Sequence, residues 1–537
     1  MRRKSPAPIC LNLSRIAKMI TMKLNLNDTF NRELPADPIT KNHVRQVSNA
    51  AYSYVSPTAP NKPSLVHCSP QMLENVGLDE ADAKSGEFLK VFSGAEVYPG
   101  TKPFAMCYGG HQFGNWAGQL GDGRAINLFE INHRNQQWAL QLKGAGKTPY
   151  SRGADGLAVL RSSIREYLCS EAMFHLGVPT TRALSLGLTG DDVLRDVMYN
   201  GNAAYEKGAI VCRAAPSFIR FGNFQIFAMR EDFDNLKKLT DYTIRHFYPH
   251  LGEPNKETYI EFFREICERT LDLMIQWERV GFVHGVMNTD NMSILGLTID
   301  FGPYGWLEDY DPNWTPNTTD AGQKRYRYGN QANIGLWNLL QLGNALFPLI
   351  EDAAPLEEIL DNYRTSYLPK HLRMICDKLG LKTVPKSDFV AELEPLLYRS
   401  EMDLTLFFRR LNEFDENAPN EFWTKLTESG YSENLNGFKE EWTRFFAVYA
   451  EILITENQDK SERIVAMNKV NPKYVLRNYM AQLAIDAADE GDYSIVDELF
   501  DLLLKPYDEQ PAMQKYFAKR PDWAKHKVGC SMLSCSS

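Results

Sequence analysis

The sequence lacks any apolar run long enough to cross a membrane as a helix. A spanning helix needs about 20 predominantly apolar residues, and no stretch of the 537 residues approaches that length. The chain also lacks a surplus of basic residues, because its formal net charge is -9. Nucleic-acid-binding domains carry a basic patch or stripe. We therefore expect no membrane span and no nucleic acid as the main partner.

Cysteine is scarce, and its spacing is uninformative. The nine cysteines are scattered, and no two form the C-x-x-C pair of metal and redox motifs. A reduced intracellular compartment is therefore expected. Cys530 and Cys535 differ, since they lie in a polar C-terminal tail where an accessible thiol can exchange. A redox role for this pair and an incidental tail both stay open.

The first 27 residues contain no acidic residue. Basic residues and an amphipathic stretch from Leu11 to Leu24 resemble a mitochondrial presequence. A short disordered leader, or a true start at Met22, is the alternative. We expect a cytoplasmic location for a bacterial protein, and a mitochondrial one if the leader is a real presequence.

The order of sequence patterns in the first half is that of a kinase small lobe. Ala105 to Gly123 is dense in glycine, and strand-like runs follow at Ala125–Ile131 and Trp138–Lys143. Apolar residues at helical spacing then predict a helix over Val159–Leu176. Glycine-rich loop, antiparallel hairpin and helix therefore follow one another.

Beyond about Glu231 the pattern is mostly helical. Predicted helices cover Glu257–Val280, Asn333–Leu346, Pro355–Lys378, Phe389–Leu411 and two segments within Asn471–Leu504. We predict an α+β, bilobal, protein-kinase-like fold with a β-rich N-lobe and a helical C-lobe. The boundaries are a basic leader (1–28), the N-lobe (29–230), the C-lobe (231–504) and a tail (505–537).

The most informative absence is a single carboxylate. In kinases an Asp follows the catalytic-loop His by two residues, and a metal-binding Asn comes five residues later. Here His284 is followed by Val286 at the base position, while Asn291 and the Asp of Asp300-Phe-Gly are present. Valine cannot accept a proton. A carboxylate occurs instead at Asp290, which is a candidate base, an indirect metal partner or a turn residue.

Several cations and glycines fit a nucleotide site, although none is decisive alone. Gly121, Gly123 and Arg124 can form a phosphate loop or an ordinary turn. Lys143 ends the second hairpin strand, and Glu166 lies in the next helix, as in a kinase ion pair. The alternative is a snorkelling lysine and a surface glutamate.

Two arginines, Arg213 and Arg220, are embedded among apolar residues. Burying a guanidinium is unfavourable unless it meets an anion. A triphosphate or a pyrophosphate leaving group would satisfy both side chains. Two structural ion pairs are an equally good interpretation.

Taken together, these motifs resemble those of the selenoprotein O family, the protein adenylyltransferase pseudokinases. The resemblance covers the chain from about Thr29 to its end. It rests on Tyr108–Arg124, Gln141–Gly146, Thr148–Arg152, Val159–Glu166, His284–Asn291 and Asp300–Pro303. It implies a kinase-like fold that binds ATP in a flipped orientation and transfers AMP to protein hydroxyls.

The resemblance also implies a role for each matching residue. It assigns the nucleotide contacts to Gly121, Gly123, Arg124, Lys143, Asp155, Gly156, Arg213, Arg220 and Asp300. It assigns the Mg²⁺ or Mn²⁺ ligands to Asn291 and Asp300, the supporting ion pair to Glu166, and the base to Asp290.

The chain departs from the family pattern in two places. Leu157 follows Asp155-Gly156 where an arginine is expected, which removes any contact from that side chain. The tail has a C-x4-C spacing, and no cysteine lies between Phe301 and Ile375. A disulfide between the tail and the loop after Asp300 is therefore not expected.

We predict a magnesium- or manganese-dependent protein adenylyltransferase that uses ATP and modifies Ser, Thr or Tyr hydroxyls of other proteins. Transfer of UMP from UTP is a variant. The alternatives are an ordinary ATP-dependent kinase, against which Val286 argues, and a catalytically silent nucleotide-binding redox scaffold, against which Asn291 and Asp300 argue.

Overall fold

The structure is a computed structural model that describes residues 22–197, 200–385, 388–530 and 532–534. Most of the expected leader, residues 1–21, lies outside the described residues. The strands are β1 Tyr52–Tyr54, β2 Ser64–Cys68, β3 Phe104–Met106, β4 Gly109–Gln112, β5 Asn115–Gln119, β6 Ala125–His133, β7 Gln136–Lys143, β8 Ala158–Val159, β9 Arg182–Arg195, β10 Ala204–Ala215, β11 Phe282–Val283 and β12 Gly305–Trp306.

The helices before β3 are short, one longer helix lies between β8 and β9, and helices dominate after β10. They are α1 Thr29–Glu33, α2 Pro70–Asn75, α3 Glu80–Ala83, α4 Gly86–Phe92, α5 Leu160–His175, α6 Phe221–Met229, α7 Phe233–Phe247, α8 Lys256–Val280, α9 Gln331–Ile350, α10 Ala354–Leu379, α11 Phe389–Arg399, α12 Leu404–Arg410, α13 Phe422–Thr427, α14 Lys439–Glu456, α15 Lys460–Val470, α16 Asn478–Asp489 and α17 Ser494–Leu503. An N-terminal antiparallel sheet followed by a largely helical region confirms the mixed α+β class.

The main sheet is antiparallel and has the strand order β1-β3-β6-β7-β10-β9-β2, with β8 paired to β10. The predicted hairpin is confirmed as β6 and β7, which are longer than expected and meet at Arg134 and Asn135. Both turn residues have a left-handed backbone, with φ of 50° and 62°. Such a two-residue turn matches the twist of the two strands it joins.

Two long strands, β9 and β10, were not indicated by the sequence. Gly187, Gly190 and Gly208 interrupt their apolar alternation, and β10 pairs with β9, β7 and β8 at once. Their stability therefore depends on long-range pairing, which local residue preferences do not reveal. This pairing places Arg213, near the end of β10, opposite Gln141 of β7.

Helix α5 crosses the sheet and is buried on both sides. Its apolar residues Ile164, Leu168 and Ala172 follow the spacing of a helix face, and all three are fully buried. One side packs on β9 and β10, and the other meets α16 and α17. The C-terminal helices therefore hold α5, and with it Glu166, against the sheet.

Helix α8 leads into the loop His284–Asn291, which we call the catalytic loop after the matching sequence motif of kinases. Asn255 caps its start by accepting a hydrogen bond from the Thr258 backbone. Gly281 ends it in the left-handed conformation, with φ of 73°, which a glycine adopts without steric strain. Strand β11 follows at once and leads into His284 and the loop beyond it.

The prediction of one helix over Phe389–Leu411 is wrong. Helix α11 ends at Arg399, Glu401 adopts a left-handed backbone, and Asp403 caps the new helix α12. Asp403 also forms a buried bidentate ion pair with Arg477. The break therefore serves a tertiary contact that helical periodicity alone does not show.

The expectation of an accessible tail thiol is wrong for Cys530, which is fully buried. The tail folds back onto the chain, where Leu533 pairs with Asn317 and its backbone N–H donates to Pro316. Cys535 lies outside the described residues. Within the described ranges, no helix is both long and apolar enough to span a membrane.

Candidate active site

A cavity of about 290 Å³ lies between the glycine-rich loop, the β6–β7 hairpin and the loop after β11. Most of the predicted site residues meet there. Those that line it are Gly121, Gly123, Arg124, Lys143, Arg213, Asp290, Asn291 and Asp300. Residues more than 150 positions apart in sequence are thus brought to one cavity by the sheet and the loop after α8.

The glycine-rich loop is packed against the segment around Tyr150. Gly121 has a φ of 83°, and a Cβ there would lie 2.4 Å from the Tyr150 ring. A Cβ on Gly123 would lie 2.9 Å from the Tyr150 carbonyl oxygen. Thr148 also donates to the Asp122 carbonyl at 2.7 Å. Only glycine fits this packing, which leaves the loop backbone open to the cavity.

Glu166 bridges two cations at the inner wall. Its Oε2 lies 2.6 Å from Lys143 Nζ, and its Oε1 accepts from Arg213 Nη1 at 3.1 Å. The Glu166 side chain is only 3% exposed. A buried carboxylate is stable when it is paired, so α5 fixes the position of both Lys143 and Arg213.

Asp300 lies at the floor of the cavity between Arg213 and Arg220. Each guanidinium contacts a different carboxylate oxygen. Burial opposes ionisation of Asp300, but Arg220, Arg213 and Lys143 outweigh it and hold its pKa well below the usual range. The Asp300 backbone is left-handed, with φ of 56°. This uncommon geometry for an aspartate points to a functional constraint.

Asp290 is enclosed by the β4–β5 hairpin. A Cβ on Gly110 would lie 2.7 Å from Asp290 Oδ1, and Gln112 Nε2 donates to Oδ2 at 3.3 Å. Oδ1 is buried and has no hydrogen-bond partner among the described residues. Burial raises the pKa of Asp290 to about 6, which is close to neutral and suits a proton acceptor.

Val286 and Asn291 complete the catalytic loop. Val286 lines the cavity at the position where a kinase has its base. Its carbonyl accepts from Asn291 Nδ2 at 2.9 Å, which leaves the amide oxygen of Asn291 for another ligand. Thr289–Asn291 forms one turn of 3₁₀ helix, so Asp290 and Asn291 have fixed backbones.

The donor set fits a hard divalent cation. Within the described ranges, no group of three or more His, Cys, Asp or Glu side chains could hold a metal. Mg²⁺ is bound instead through one or two carboxylates together with substrate phosphates. The Asn291 amide oxygen and the Asp300 carboxylate, which line one cavity, supply the oxygen ligands that such a site needs.

The side chain of His284 supports the loop rather than transferring protons. It is buried, its ring stacks on Trp277, and its Nε2–H donates to the Ile299 carbonyl at 2.8 Å. Burial lowers the pKa of His284, so the imidazole is neutral near pH 7. These contacts indicate that His284 holds the backbone of the loop in place.

Asp155, Gly156 and Arg220 do not line the cavity. The Asp155 carboxylate accepts two hydrogen bonds from Arg195, at 2.7 and 2.9 Å. Gly156 has a φ of 74°, and a Cβ there would lie 2.1 Å from the Gly146 carbonyl oxygen. This turn shapes the wall behind Ala154. Arg220 acts on the cavity through Asp300.

The sequence assigned no role to three polar groups of the site, of which Gln141 and Asp122 are buried and Gln112 is half-buried. Gln112 donates to Asp290, Gln141 accepts from Arg213, and Asp122 accepts from Asn127 Nδ2 at 3.1 Å. The first and third lie within the Tyr108–Arg124 motif. The only feature of the sequence that could have indicated these three residues is that they lie within the motifs, since a lone Gln or Asp has no distinctive spacing.

Residues 39–504 match the family model described as "Protein adenylyltransferase SelO". The chain is also similar over nearly its whole length to bacterial proteins named "Protein nucleotidyltransferase YdiU". The Flavobacterium johnsoniae protein is 58% identical over 520 residues, which cover 96% of this chain and 99% of that one. The Aromatoleum aromaticum protein is 54% identical over 522 residues, with coverage of 96% and 99%.

Proposed function

The chain belongs to the SelO family of protein adenylyltransferases and is a protein nucleotidyltransferase, and we propose that this cavity transfers AMP from ATP to Ser, Thr or Tyr hydroxyls. In this reaction the acceptor oxygen bonds to the α-phosphorus, and the bond from that phosphorus to the oxygen bridging to the β-phosphate breaks. Pyrophosphate leaves, and the hydroxyl proton passes to the enzyme. UTP is the alternative donor, with transfer of UMP.

The observation that carries the proposal is the position of Asp290. Its carboxylate lines the same cavity as Lys143 and Asp300, whereas the usual base position is the apolar Val286. Oδ2 accepts only from Gln112 Nε2 and Oδ1 has no hydrogen-bond partner among the described residues, so the carboxylate keeps capacity to accept the hydroxyl proton. A base within hydrogen-bond reach of the attacking oxygen is the geometric requirement for general base catalysis.

The cations at the inner wall suit the leaving group. Lys143, Arg124 and Arg213 all line the cavity. Charge that develops on departing pyrophosphate is stabilised by fixed donors in a partly desolvated site. A flipped ATP, with its β- and γ-phosphates on this wall, presents its α-phosphorus toward Asp290.

Asn291 and Asp300 would hold the Mg²⁺ or Mn²⁺ ion. A bound divalent cation supplies neutralisation of phosphate charge and orientation of the phosphate oxygens. Arg213 and Arg220 keep Asp300 ionised and fixed in place before any ligand arrives.

The arrangement of elements supports two kinase-like lobes, with the sheet and α5 in the first and the helices after α6 in the second. The similar proteins come from bacteria, and a cytoplasmic location is the one we propose for a bacterial chain.

The direct test compares ATP labelled at the α-phosphate with ATP labelled at the γ-phosphate, each with Mg²⁺ or Mn²⁺ and a mixture of acceptor proteins. We expect protein labelling from the α-label alone and its loss in Asp300→Ala. Asp361→Asn, an exposed carboxylate of α10, is the matched control and keeps full activity. Labelling from γ-labelled ATP alone would establish a kinase. Labelling from neither form of ATP would establish a silent scaffold.

A further inference from the structure

The β4–β5 hairpin packs against the catalytic loop beside the cavity, which Gln112 lines. The His111 backbone N–H donates to Thr289 Oγ1 at 2.7 Å, and the Phe113 N–H donates to Asn288 Oδ1 at 3.2 Å. Gly110 lies against the Asp290 carboxylate. The hairpin therefore runs from the proposed base outward along the catalytic loop.

An aromatic and basic cluster lies beside the turn of this hairpin. The His111 ring lies between Trp116 and Trp337, with ring centroids 5.1 and 5.5 Å away. The Arg325 guanidinium lies 4.7 Å from the Trp337 ring centroid. A Cβ built on Gly114, at the turn, would lie 3.5 Å from Arg325 Cζ. All four side chains are partly exposed.

Arg325 differs from the arginines of the cavity floor. Within the described ranges, no carboxylate lies within 4.0 Å of its guanidinium nitrogens, whereas Arg213 and Arg220 are both ion-paired. Its Nε is buried and makes no hydrogen bond to a described residue. Asp320 accepts hydrogen bonds from the backbone N–H groups of Arg325 and Tyr326. These bonds hold the backbone, while the guanidinium forms no salt bridge with a described residue and can still pair with an anion.

The separation of Arg325 from Asp290 limits the number of residues between the acceptor hydroxyl and a side chain that Arg325 could contact. Gly110 contacts Asp290 and Gly114 faces Arg325, and four residues of strand span at most roughly 13 Å. An extended acceptor peptide, which has the same rise per residue, spans this separation in about four residues or fewer. A planar guanidinium on an aromatic face is well suited to a carboxylate.

We propose that Arg325, stacked on Trp337, docks an acidic side chain of the acceptor protein three or four residues from the hydroxyl that receives AMP. The inference rests on the proposed function and adds a substrate preference to it. The occupant is a protein segment carrying Asp or Glu, because the cluster offers one cation and flat apolar surfaces.

The test uses a peptide library with one central acceptor hydroxyl and a single Asp or Lys placed at each position up to five residues away. With α-labelled ATP and Mn²⁺ or Mg²⁺, the wild type should favour Asp over Lys by about tenfold in kcat/KM at three or four residues, the effect of one charge-assisted contact. Arg325→Glu should reverse the preference at the same positions and leave the KM for ATP unchanged.

Arg327→Ala is the matched control, since Arg327 is two residues away and donates to the Lys324 carbonyl; it should keep the wild-type preference. An unchanged preference in Arg325→Glu, even labelling across the library, or labelling of intact proteins but no peptide would overturn the docking proposal alone. Failure of the wild type to label any protein from α-labelled ATP would overturn the proposed function instead.

Discussion

Arg220 and Asp300 form an ion pair beneath the cavity, and the same guanidinium donates to the Asp290 main-chain carbonyl at 2.9 Å. One buried side chain thus connects the proposed metal ligand with the proposed base. The Tyr108 ring lies 4.6 Å from the Arg220 guanidinium and covers it. The same residue therefore holds the Asp300 carboxylate and the backbone of Asp290.

Arg220→Lys keeps the charge, but its ammonium ends one atom short of Nη1, the nitrogen that contacts both the Asp300 carboxylate and the Asp290 carbonyl. A lysine offers a point charge and cannot reproduce two fixed contacts. We expect AMP transfer to fall by about 100-fold, the loss typical for one fixed donor of a charged site. The rate of protein labelling from α-labelled ATP measures this fall in AMP transfer. Arg245→Lys, exposed on α7, is the control, and full activity of Arg220→Lys would contradict this role.

Gly110→Ala should displace the Asp290 carboxylate. The added Cβ would lie 2.7 Å from Asp290 Oδ1 and 2.9 Å from Asp290 Cβ, which is too close for either group to remain. We expect a large loss of transfer with little change in ATP binding, measured by labelling and by titration calorimetry. Gly86→Ala has open space around its Cβ and should behave as the wild type.

Lys143→Met should abolish most activity without unfolding the protein. Glu166 keeps a partner in this variant, because Arg213 Nη1 still donates to its other oxygen. We expect transfer to fall by about 100- to 1,000-fold, with a thermal midpoint near that of the wild type. A large drop in the midpoint would show that Lys143 is mainly structural.

The stability of the helical region should fall at alkaline pH through His371. This imidazole lies between Glu278 and Glu394, at 2.9 and 3.5 Å. Burial opposes its charge, but hydrogen bonds to the two carboxylates outweigh burial and raise the pKa of His371 to about 10. The stabilisation from the charged His371 imidazole is complete below the pKa of about 6.5 that histidine has in the unfolded chain. It is lost as the pH rises through about 10.

Urea unfolding between pH 6 and 10.5 measures this dependence. His371→Gln should be less stable at pH 6 and should show a smaller decline toward high pH. His250→Gln, an exposed histidine paired with Glu265, should decline as the wild type does. Parallel curves for the wild type and His371→Gln would exclude the assignment.

Local patterns predicted the hairpin and the long helices because each is encoded in consecutive residues. The helix α8 and the β6–β7 hairpin follow from periodicity and turn residues. Strands β9 and β10 could not be predicted, since their stability comes from pairing with β2, β7 and β8. The burial of Cys530 depends likewise on contacts of the tail with residues near 317, over 200 positions away.

Within the site, spacing predicted which residue types meet, but the contacts between them came from the fold. The sequence indicated Arg213 and Arg220 as partners of an anion, and left open whether it is a phosphate or a carboxylate. The structure shows the Asp300 carboxylate between them. The enclosure of Asp290 by Gly110 and Gln112 has no local signal, because β4 and the catalytic loop are far apart in sequence.

The most direct measurement of the central claim is the rate of AMP transfer by Asp290→Asn at saturating ATP. Asparagine keeps the size of the side chain and cannot accept the hydroxyl proton. We predict a fall in transfer from α-labelled ATP of at least about 100-fold, with ATP binding retained and Asp361→Asn unaffected. A transfer rate equal to that of the wild type would contradict the assignment of Asp290 as the base.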